Sequence, residues 1–506
     1  MGFLFCIDEE PLIMRLEHYH ALPIRRFYRA GVILFLLMCF HSVAAAGNPS
    51  KAKTPPNILI VIADDLHWSD MGCMGNDQVR TPNIDRLAKE GMAFDAAFTS
   101  TAMCSPTRQQ LLTGLWPVRS GAWPNHSGVY KGVRSLPTHL NQLGYRTAHM
   151  GKGHIKPKAS YPFEPLGDVP HQKGLPEQLP DLAQRVKRFM GDVGEQPWCL
   201  YYASHQPHKP FSVGDPSRYP VDEIKVPPHL IDTPDTRKQL SLYYAEVEML
   251  DAELGMLLDT LDKLDKADNT LVIFTSEQGA PHLPFGGKWT CWDHGLKTAL
   301  IARLPGTIQA GTRTDAMVQY IDVVPTLIEF AGGDPEQIDT GVDHPTRQTR
   351  GFDGISFAGV LSGRTTTHRK HVYGIHTTKG IINGSKSYPI RSVRDKQWLM
   401  VWNLNAKNEP FRNIFHSRDA NDWADWQEAI KHDPAIAKRV AFFQDRPEFE
   451  LYDIAADPYQ LKNLAEDPKH ADRLRDMQAT LNAWMKSEGD EGLVTEAKAS
   501  QRQGRK

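Results

Sequence analysis

The sequence predicts an α/β fold built on a large, mostly parallel or mixed sheet flanked by helices, followed by a smaller C-terminal α+β region with an antiparallel sheet. Three observations lead there. Asn57–Ala63 reads NILIVIA, a continuous apolar and β-branched run of the kind found in strands buried on both faces. Similar runs recur at residues 145–150 and 198–204 and at Thr270–Ser276, separated by stretches of helical periodicity. Beyond about residue 361 the pattern changes to several short strands and then one helix.

Taken in order, the first strand ends in Asp64-Asp65, and Thr81-Pro82-Asn83 opens a helix. Ile84, Leu87 and Ala88 share one face of that helix, and Gly91 is its stop. Between the third and fourth strands, Leu240, Tyr243, Val247, Leu250, Leu254, Leu257, Leu261 and Leu264 mark a long amphipathic helix. In the C-terminal region, residues 388–393 (YPIRSV), Trp398–Asn403 and Phe449–Asp453 read as strands, and residues 471–485 as the closing helix. The polar stretch 491–506 reads as a disordered tail.

The chain has 506 residues with a formal net charge of -2, so no global field points to nucleic acid, and any anion site must be local. Residues 1–46 read as a signal peptide. Arg25, Arg26 and Arg29 precede an apolar run over residues 30–40, and Ala44-Ala45-Ala46 follows; Met14 is an alternative start. That run is short for a membrane span. The expectation is an exported protein, periplasmic or secreted, with no stable membrane span. Cys73, Cys104, Cys199 and Cys291 remain beyond the leader and show neither a disulfide framework nor paired metal-ligand spacing.

In open α/β sheets, ligands bind beyond the carboxyl ends of the strands. The four runs lead into Asp64-Asp65, Gly151-Lys152-Gly153-His154, His205-Gln206-Pro207-His208 and Glu277-Gln278-Gly279. Singly, such groups serve as helix caps, solvated turns or loop residues. Gathered on one edge, carboxylate and amide oxygens suit a hard cation such as calcium or magnesium and disfavour zinc. Nearby lysines imply an anion held against it, hence phosphoryl or sulfuryl transfer. Cys104-Ser105-Pro106-Thr107-Arg108 then places a cysteine at the start of a helix that Gly114 ends, where free backbone N–H groups favour an anion.

Cys-x-Pro-x-Arg running into Leu111-Leu112-Thr113-Gly114, with these strand-end clusters, resembles the signature of the formylglycine sulfatases of the alkaline-phosphatase superfamily. Glu450-Leu451-Tyr452-Asp453, Asp457-Pro458 and Asn463-Leu464 are similar to that family's closing motif. The resemblance spans roughly residues 55–485. It implies an alkaline-phosphatase-like catalytic domain over residues 50–361 and a smaller domain over 362–490. It also implies that Cys104 is converted by a formylglycine-generating maturation enzyme to an aldehyde whose hydrate attacks sulfur.

By the same resemblance, Asp64, Asp65, Glu277 and Gln278 would bind calcium with an oxygen on residue 104. Arg108 would hold the hydrate, and Lys152 and Lys288 the sulfate oxygens. His154 would act on the formylglycine hydroxyl, and His208 would protonate the leaving group. Glu277-Gln278 departs from the family's usual Asp followed by Asn or His. Within the family the chain is most similar to the sulfamidase branch and bacterial polysaccharide sulfatases, through Val133-Arg134-Ser135-Leu136-Pro137, Tyr161-Pro162-Phe163, Ser387-Tyr388-Pro389-Ile390-Arg391-Ser392-Val393 and Asn403-Leu404-Asn405. Sulfamidase-like chains carry arginine where Lys288 stands. A sulfated carbohydrate is therefore the expected substrate, with His205, His376 and Arg391 as candidate sugar contacts; Arg391 could equally anchor the second domain through a salt bridge. The linkage, O- or N-sulfate, stays open, and no motif speaks to oligomeric state.

Three rivals share parts of this pattern. A metal-dependent phosphodiesterase or phosphonate hydrolase of the same superfamily would use two metals and a serine or threonine nucleophile. A glycan-binding homologue would keep the fold and lose the chemistry. A thiol hydrolase would pair Cys104 with a histidine and leave the acidic cluster without a purpose.

Overall fold

A computed structural model of the protein describes residues 54–171, 174–280, 287–381, 384–412 and 421–503. The expected leader, residues 1–46, lies outside the described residues. Strands of the larger part are β1 (Asn57–Ala63), β2 (Met92–Phe94), β3 (Ala97–Phe98), β4 (Arg146–Gly151), β5 (Glu164–Pro165), β6 (Trp198–Ala203), β7 (Thr270–Ser276), β8 (Lys297–Thr298), β9 (Leu300–Arg303), β10 (Thr312–Thr314) and β11 (Val318–Gln319). The main sheet has the order β10-β2-β9-β7-β1-β6-β4-β5, and β11-β3-β8 form a small second one. The main sheet is mixed: β1 runs parallel to β6 and β7, while β9 is antiparallel to β7 and β2.

The sequence of β1 explains its central place. All seven residues are buried, because side chains alternate between two apolar layers. Leu59, Val61 and Ala63 face the layer of the helices Leu175–Asp192 and Pro234–Lys263. Ile58, Ile60 and Ile62 face Leu111 and Leu112 of the helix Cys104–Thr113 and Val324, Leu327 and Ile328 of the helix Val323–Phe330. Each such leucine, isoleucine or valine side chain contributes about 1.5–3 kcal/mol on burial. The predicted long helix is capped at its start by the Thr233 hydroxyl, which accepts from the Thr236 N–H at 3.2 Å.

Register aligns the ends of the central strands. Ala63 pairs with Ser276 and Gly151 with Ala203. The chain then crosses between neighbours: Asp64 N donates to Gln206 O at 2.9 Å, Lys152 N to Ala203 O at 2.8 Å and Glu277 N to Ala63 O at 3.1 Å. The four polar clusters at the strand ends therefore start from one level of one sheet edge.

The second sheet, order β12-β13-β14-β15, is antiparallel throughout, with β12 (Val372–His376), β13 (Ile390–Arg394), β14 (Trp398–Asn403) and β15 (Phe449–Asp453). Met477, Leu481 and Trp484 of the helix Ala471–Ser487 cover it, joined by Trp116 and Ile321 from the larger part. Of the stretch 491–506, expected as a disordered tail, Leu493–Arg502 form a helix, which corrects that expectation there; residues 504–506 lie outside the described residues. Long-range polar contacts hold that helix. Glu496 accepts from Thr378 Oγ1 at 2.7 Å, and Arg502 donates to Gly121 O at 2.9 Å and Gly128 O at 2.7 Å, its guanidinium 4.0 Å above the Tyr130 ring. Polar composition alone conceals such partners. No helix among the described residues is long and apolar enough to cross a membrane.

Candidate active site

The helix Cys104–Thr113 is buried at every position although more than half of it is polar. Buried polar groups are tolerated when bonded, and these bind the surrounding loops. Gln110 Oε1 accepts from Ser100 N at 3.1 Å, Gln109 Nε2 donates to Ser127 O at 3.0 Å, and Ser105 Oγ donates to His154 O at 2.9 Å. Cys104 sits on the first turn, 5% exposed, behind an extended Met103. Gly114, with φ 68°, ends the helix and accepts the left-handed conformation that a side chain resists.

Around Cys104 lie three carboxylates and three cations. Arg108 Nε donates to Glu277 Oε2 at 2.6 Å, its Nη2 lies 3.9 Å from Asp64 Oδ1, and its Nη1 reaches Lys152 O at 3.3 Å and Tyr201 OH at 3.4 Å. The Lys152 ammonium is paired with Asp64 Oδ2. Lys288 Nζ bonds both oxygens of Asp65, at 2.7 and 2.8 Å. Gln278 Nε2 donates to Asp65 Oδ1 and, at 2.9 Å, to Glu277 Oε1. His208 Nε2 stands 3.4 Å from Asp65 Oδ2, with its side chain 29% exposed where the cluster opens to solvent. Its Nδ1 faces the Lys209 carbonyl at 2.5 Å; a carbonyl only accepts, so Nδ1 carries the proton.

Backbone strain gathers here. Among the described residues, Asp65, His154 and Trp289 are three of the six non-glycine residues with positive φ, and all three flank these groups. Gly287 is required beside Lys288: at φ 110° a Cβ would lie 1.9 Å from His294 O.

The electrostatics follow from burial and pairing. Burial works to raise Asp64, but the Lys152 ammonium and His208 outweigh it and hold the carboxyl well below the usual range. Burial works against the charges of Lys152 and Lys288, yet Asp64 and Asp65 keep both raised. Burial, with Glu277 beside it, pushes the Cys104 thiol up to about 12, so the unmodified residue is a protonated and poor nucleophile. Burial, then Lys152, pushes His154 down to about 3, leaving a neutral imidazole.

One donor atom from each of Asp64, Asp65, Cys104 and Glu277 lies within 4.8 Å of the others. Asp64 Oδ1 and Gln278 Oε1 are buried without a hydrogen-bond partner. Orphaned carboxylate and amide oxygens fit a hard divalent cation. The three acids and three bases balance, so such a cation would leave the pocket with about two positive charges, suited to an anionic substrate.

The structure thus brings together Asp64, Asp65, Cys104, Arg108, Lys152, His208, Glu277, Gln278 and Lys288. His154 joins them through its carbonyl bond to Ser105, and its ring meets His126 edge-on at 5.6 Å. His205 lies at the entrance, bonded to Asp168 at 3.0 Å and stacked on His171 at 4.8 Å; His171 in turn meets His208 at 5.5 Å. His171 was not foreseen: it sits on a loop with no strand end to mark it. Of the two roles open to Arg391, its contacts match the salt-bridge anchor. Its guanidinium is buried and bound to both carboxylate oxygens of Asp490, and it donates to the carbonyls of His376 and Ile390 at 3.0 and 2.9 Å. Its donors are spent inside the fold, so it anchors the second sheet rather than reaching a sugar. His376 is likewise fully buried, on β12.

Comparison with known proteins agrees with this geometry. Residues 56–333 match the sequence model of the family described as Sulfatase. The chain is 31% identical over 488 residues to an ulvan-active sulfatase of Formosa agariphila, covering 91% of this chain and 89% of that one. It is 28% identical over 481 residues to the human N-sulphoglucosamine sulphohydrolase, covering 85% and 90%. Among solved structures, a protein in complex with its substrate D-glucosamine-2-N,6-O-disulfate superimposes with a TM-score of 0.62 at 19% identity, covering 86% of this chain and 99% of that one. A phosphonate monoester hydrolase of Agrobacterium radiobacter gives 0.64 at 20%, covering 86% and 96%. At these identities the two structures speak for the fold: a large mixed sheet flanked by helices, with a separate antiparallel sheet.

Proposed function

Because this chain belongs to the sulfatase family, we propose that it hydrolyses sulfate from a sulfated glycan, with Cys104 converted to formylglycine and calcium held by Asp64, Asp65, Glu277, Gln278 and an oxygen on residue 104. The observation that carries this reading is the balanced set of three buried acids and three buried bases around Cys104, with two buried oxygens left unbonded. The names of the relatives, ulvan-active and N-sulphoglucosamine, support a carbohydrate substrate. Calcium would supply charge that stabilises the sulfate oxygens and the attacking oxygen.

The chain's own groups then have defined tasks. Glu277 fixes the guanidinium of Arg108, which orients the oxygen on residue 104. Lys152 and Lys288 are the ammonium groups able to exchange carboxylate oxygens for sulfate oxygens as substrate enters. His208, partly exposed at the opening, donates the proton that the leaving sugar oxygen or nitrogen needs. His154, neutral in its buried setting, takes the proton whose removal releases sulfate and restores the aldehyde. Water is consumed, and sulfate and the free sugar hydroxyl or amine are the products.

Cys104 is too enclosed for an enzyme to reach in the folded chain, so the maturation enzyme would act before the site closes. The arginine-rich, apolar and Ala-x-Ala pattern before residue 47 supports export, to the periplasm or beyond.

Mass spectrometry of the Cys104 peptide tests the nucleophile, because replacing the thiol by an aldehyde lowers its mass by about 18 Da. The shift should appear together with calcium-dependent sulfate release from a sulfated oligosaccharide. An unmodified thiol in protein that releases sulfate would sink the mechanism.

A further inference from the structure

We propose that His67, His229 and His294 form a second metal site, for a zinc-class ion, separate from the oxygen-lined pocket at Cys104. The three come from different segments: the loop after β1, the loop before the helix Pro234–Lys263, and the turn Asp293–Leu296. All three are buried, and one ring nitrogen from each lies within 4.8 Å of the other two. Three imidazoles with no carboxylate among them are the wrong donors for calcium or magnesium and the right ones for zinc, copper or nickel.

The distances support an ion. His67 Nε2 and His294 Nδ1 are 3.3 Å apart. Zinc–nitrogen bonds of about 2.0–2.1 Å in a tetrahedron place neighbouring nitrogens about 3.3–3.4 Å apart. The outer nitrogens point the same way. His294 Nε2 faces the Tyr459 carbonyl at 3.2 Å, which only accepts, so the proton is on Nε2 and the Nδ1 lone pair faces His67. The Ser69 hydroxyl, itself placed to donate to Asp70 Oδ1, lies 2.8 Å from His67 Nδ1 and can take its proton, turning the Nε2 lone pair inward. With both lone pairs turned inward, that distance fits a cation held between the two rings. In the opposite tautomer the Ser69 hydroxyl would donate to His67 Nδ1 at 2.8 Å and His67 Nε2–H to His294 Nδ1 at 3.3 Å, a hydrogen-bonded pair that a bound ion would replace.

The third ring stands ready. His229 stacks on His294 with centroids 4.0 Å apart and planes 16° from parallel, and it must rotate out of that stack to complete the set. It has room, since His229, His294, Trp292, Arg439 and Tyr459 line a cavity of about 440 Å³. That cavity supplies the entry path and a fourth position for water or an anion. An ion here would tie the segment carrying Asp64 and Asp65 to the one carrying Lys288.

The test uses the full chain, stripped with a chelator and saturated with calcium to fill the oxygen site, then titrated calorimetrically with zinc chloride. The wild type should bind one equivalent more zinc than His294→Gln or His229→Ala, each checked for folding by circular dichroism. Zinc-edge X-ray absorption of the wild type should show imidazole nitrogens at about 2.0–2.1 Å. Equal zinc in wild type and both folded variants, or an oxygen-only shell, would overturn the site and leave a hydrogen-bonded packing cluster. If neither variant folds, the wild-type absorption spectrum decides alone. Neither outcome bears on sulfate release at Cys104.

Discussion

Replacing Arg108 by glutamine tests whether the site is a balanced charge cluster. The guanidinium is fully buried, 2.6 Å from Glu277 and 3.9 Å from Asp64. Its loss leaves three acids facing two ammonium groups, one negative charge unmatched in a dry environment. Breaking a buried pair in this way costs about 3–5 kcal/mol. Unfolding entropy of about 2.1 cal/mol/K per residue gives about 0.95 kcal/mol/K for the roughly 450 residues of Pro55–Lys506. Scanning calorimetry in chelator should therefore show Tm falling by about 3–5 °C. Calcium should recover more in the variant than in the wild type, because the same ion now also neutralises the surplus charge. Unchanged Tm in chelator, or a smaller calcium effect in the variant, would show that Arg108 is not the counter-charge and refute the balance argument.

Three further outcomes follow from particular contacts. Burial lifts Glu253 to about 8, so the fold keeps a proton that the unfolded chain releases above the ordinary glutamate range. Stability should therefore decline as pH rises from about 4.5 toward 8, by up to about 1.4 kcal/mol per unit, and Glu253→Gln should flatten that slope in Tm measured against pH. Arg391→Met, which orphans Asp490, should lower stability by about 3–5 kcal/mol in denaturant titrations while leaving KM for sulfated substrate unchanged; a raised KM at unchanged stability would return Arg391 to the sugar site. His208→Gln should reduce kcat for a sugar sulfate by about 10²–10⁴-fold but for an aryl sulfate far less, because a phenolate leaves without a proton; equal losses on both substrates would remove His208 as the acid.

Much of the fold was legible because its signals are local. The apolar run of β1 has no polar face, which means cover on both sides, and both layers are present. The period of the helix Pro234–Lys263 was readable from seven buried apolar residues between Leu240 and Leu261. What escaped depends on distant partners. Strands β2, β9 and β10 have three or four residues each and exist only through pairing with neighbours. The helix Leu175–Asp192 carries Pro180 inside it, which argues against a helix when neighbours are ignored. The helix Leu493–Arg502 depends on Thr378, Gly121 and Gly128, more than a hundred positions away.

The same distinction runs through the site. Residues on strand ends were found because strand register delivers them to one level whatever the loops do. Arg391 looked similar in sequence, an arginine on a strand of the second sheet, and its partner Asp490 lies 99 positions away. His171 and the pairing of His67 with His294 are set by loop geometry, which carries no period to read.

The lysines bear on how one pocket could serve both a cation and an anion. Lys152 is paired with Asp64 and Lys288 with Asp65, so each buried carboxylate has a buried counter-charge. Under the proposed function, Asp64 and Asp65 would hold a divalent cation, which would supply positive charge beside residue 104, and Lys152 and Lys288 would then be available to an anion. Arg108 would not share in such an exchange, because its Nε is bonded to Glu277 at 2.6 Å and its Nη1 to the Lys152 carbonyl and the Tyr201 hydroxyl, whereas each lysine is paired to a single carboxylate. In the proposed reaction Arg108 would therefore stay beside residue 104 while the two lysines supply the groups that meet the substrate.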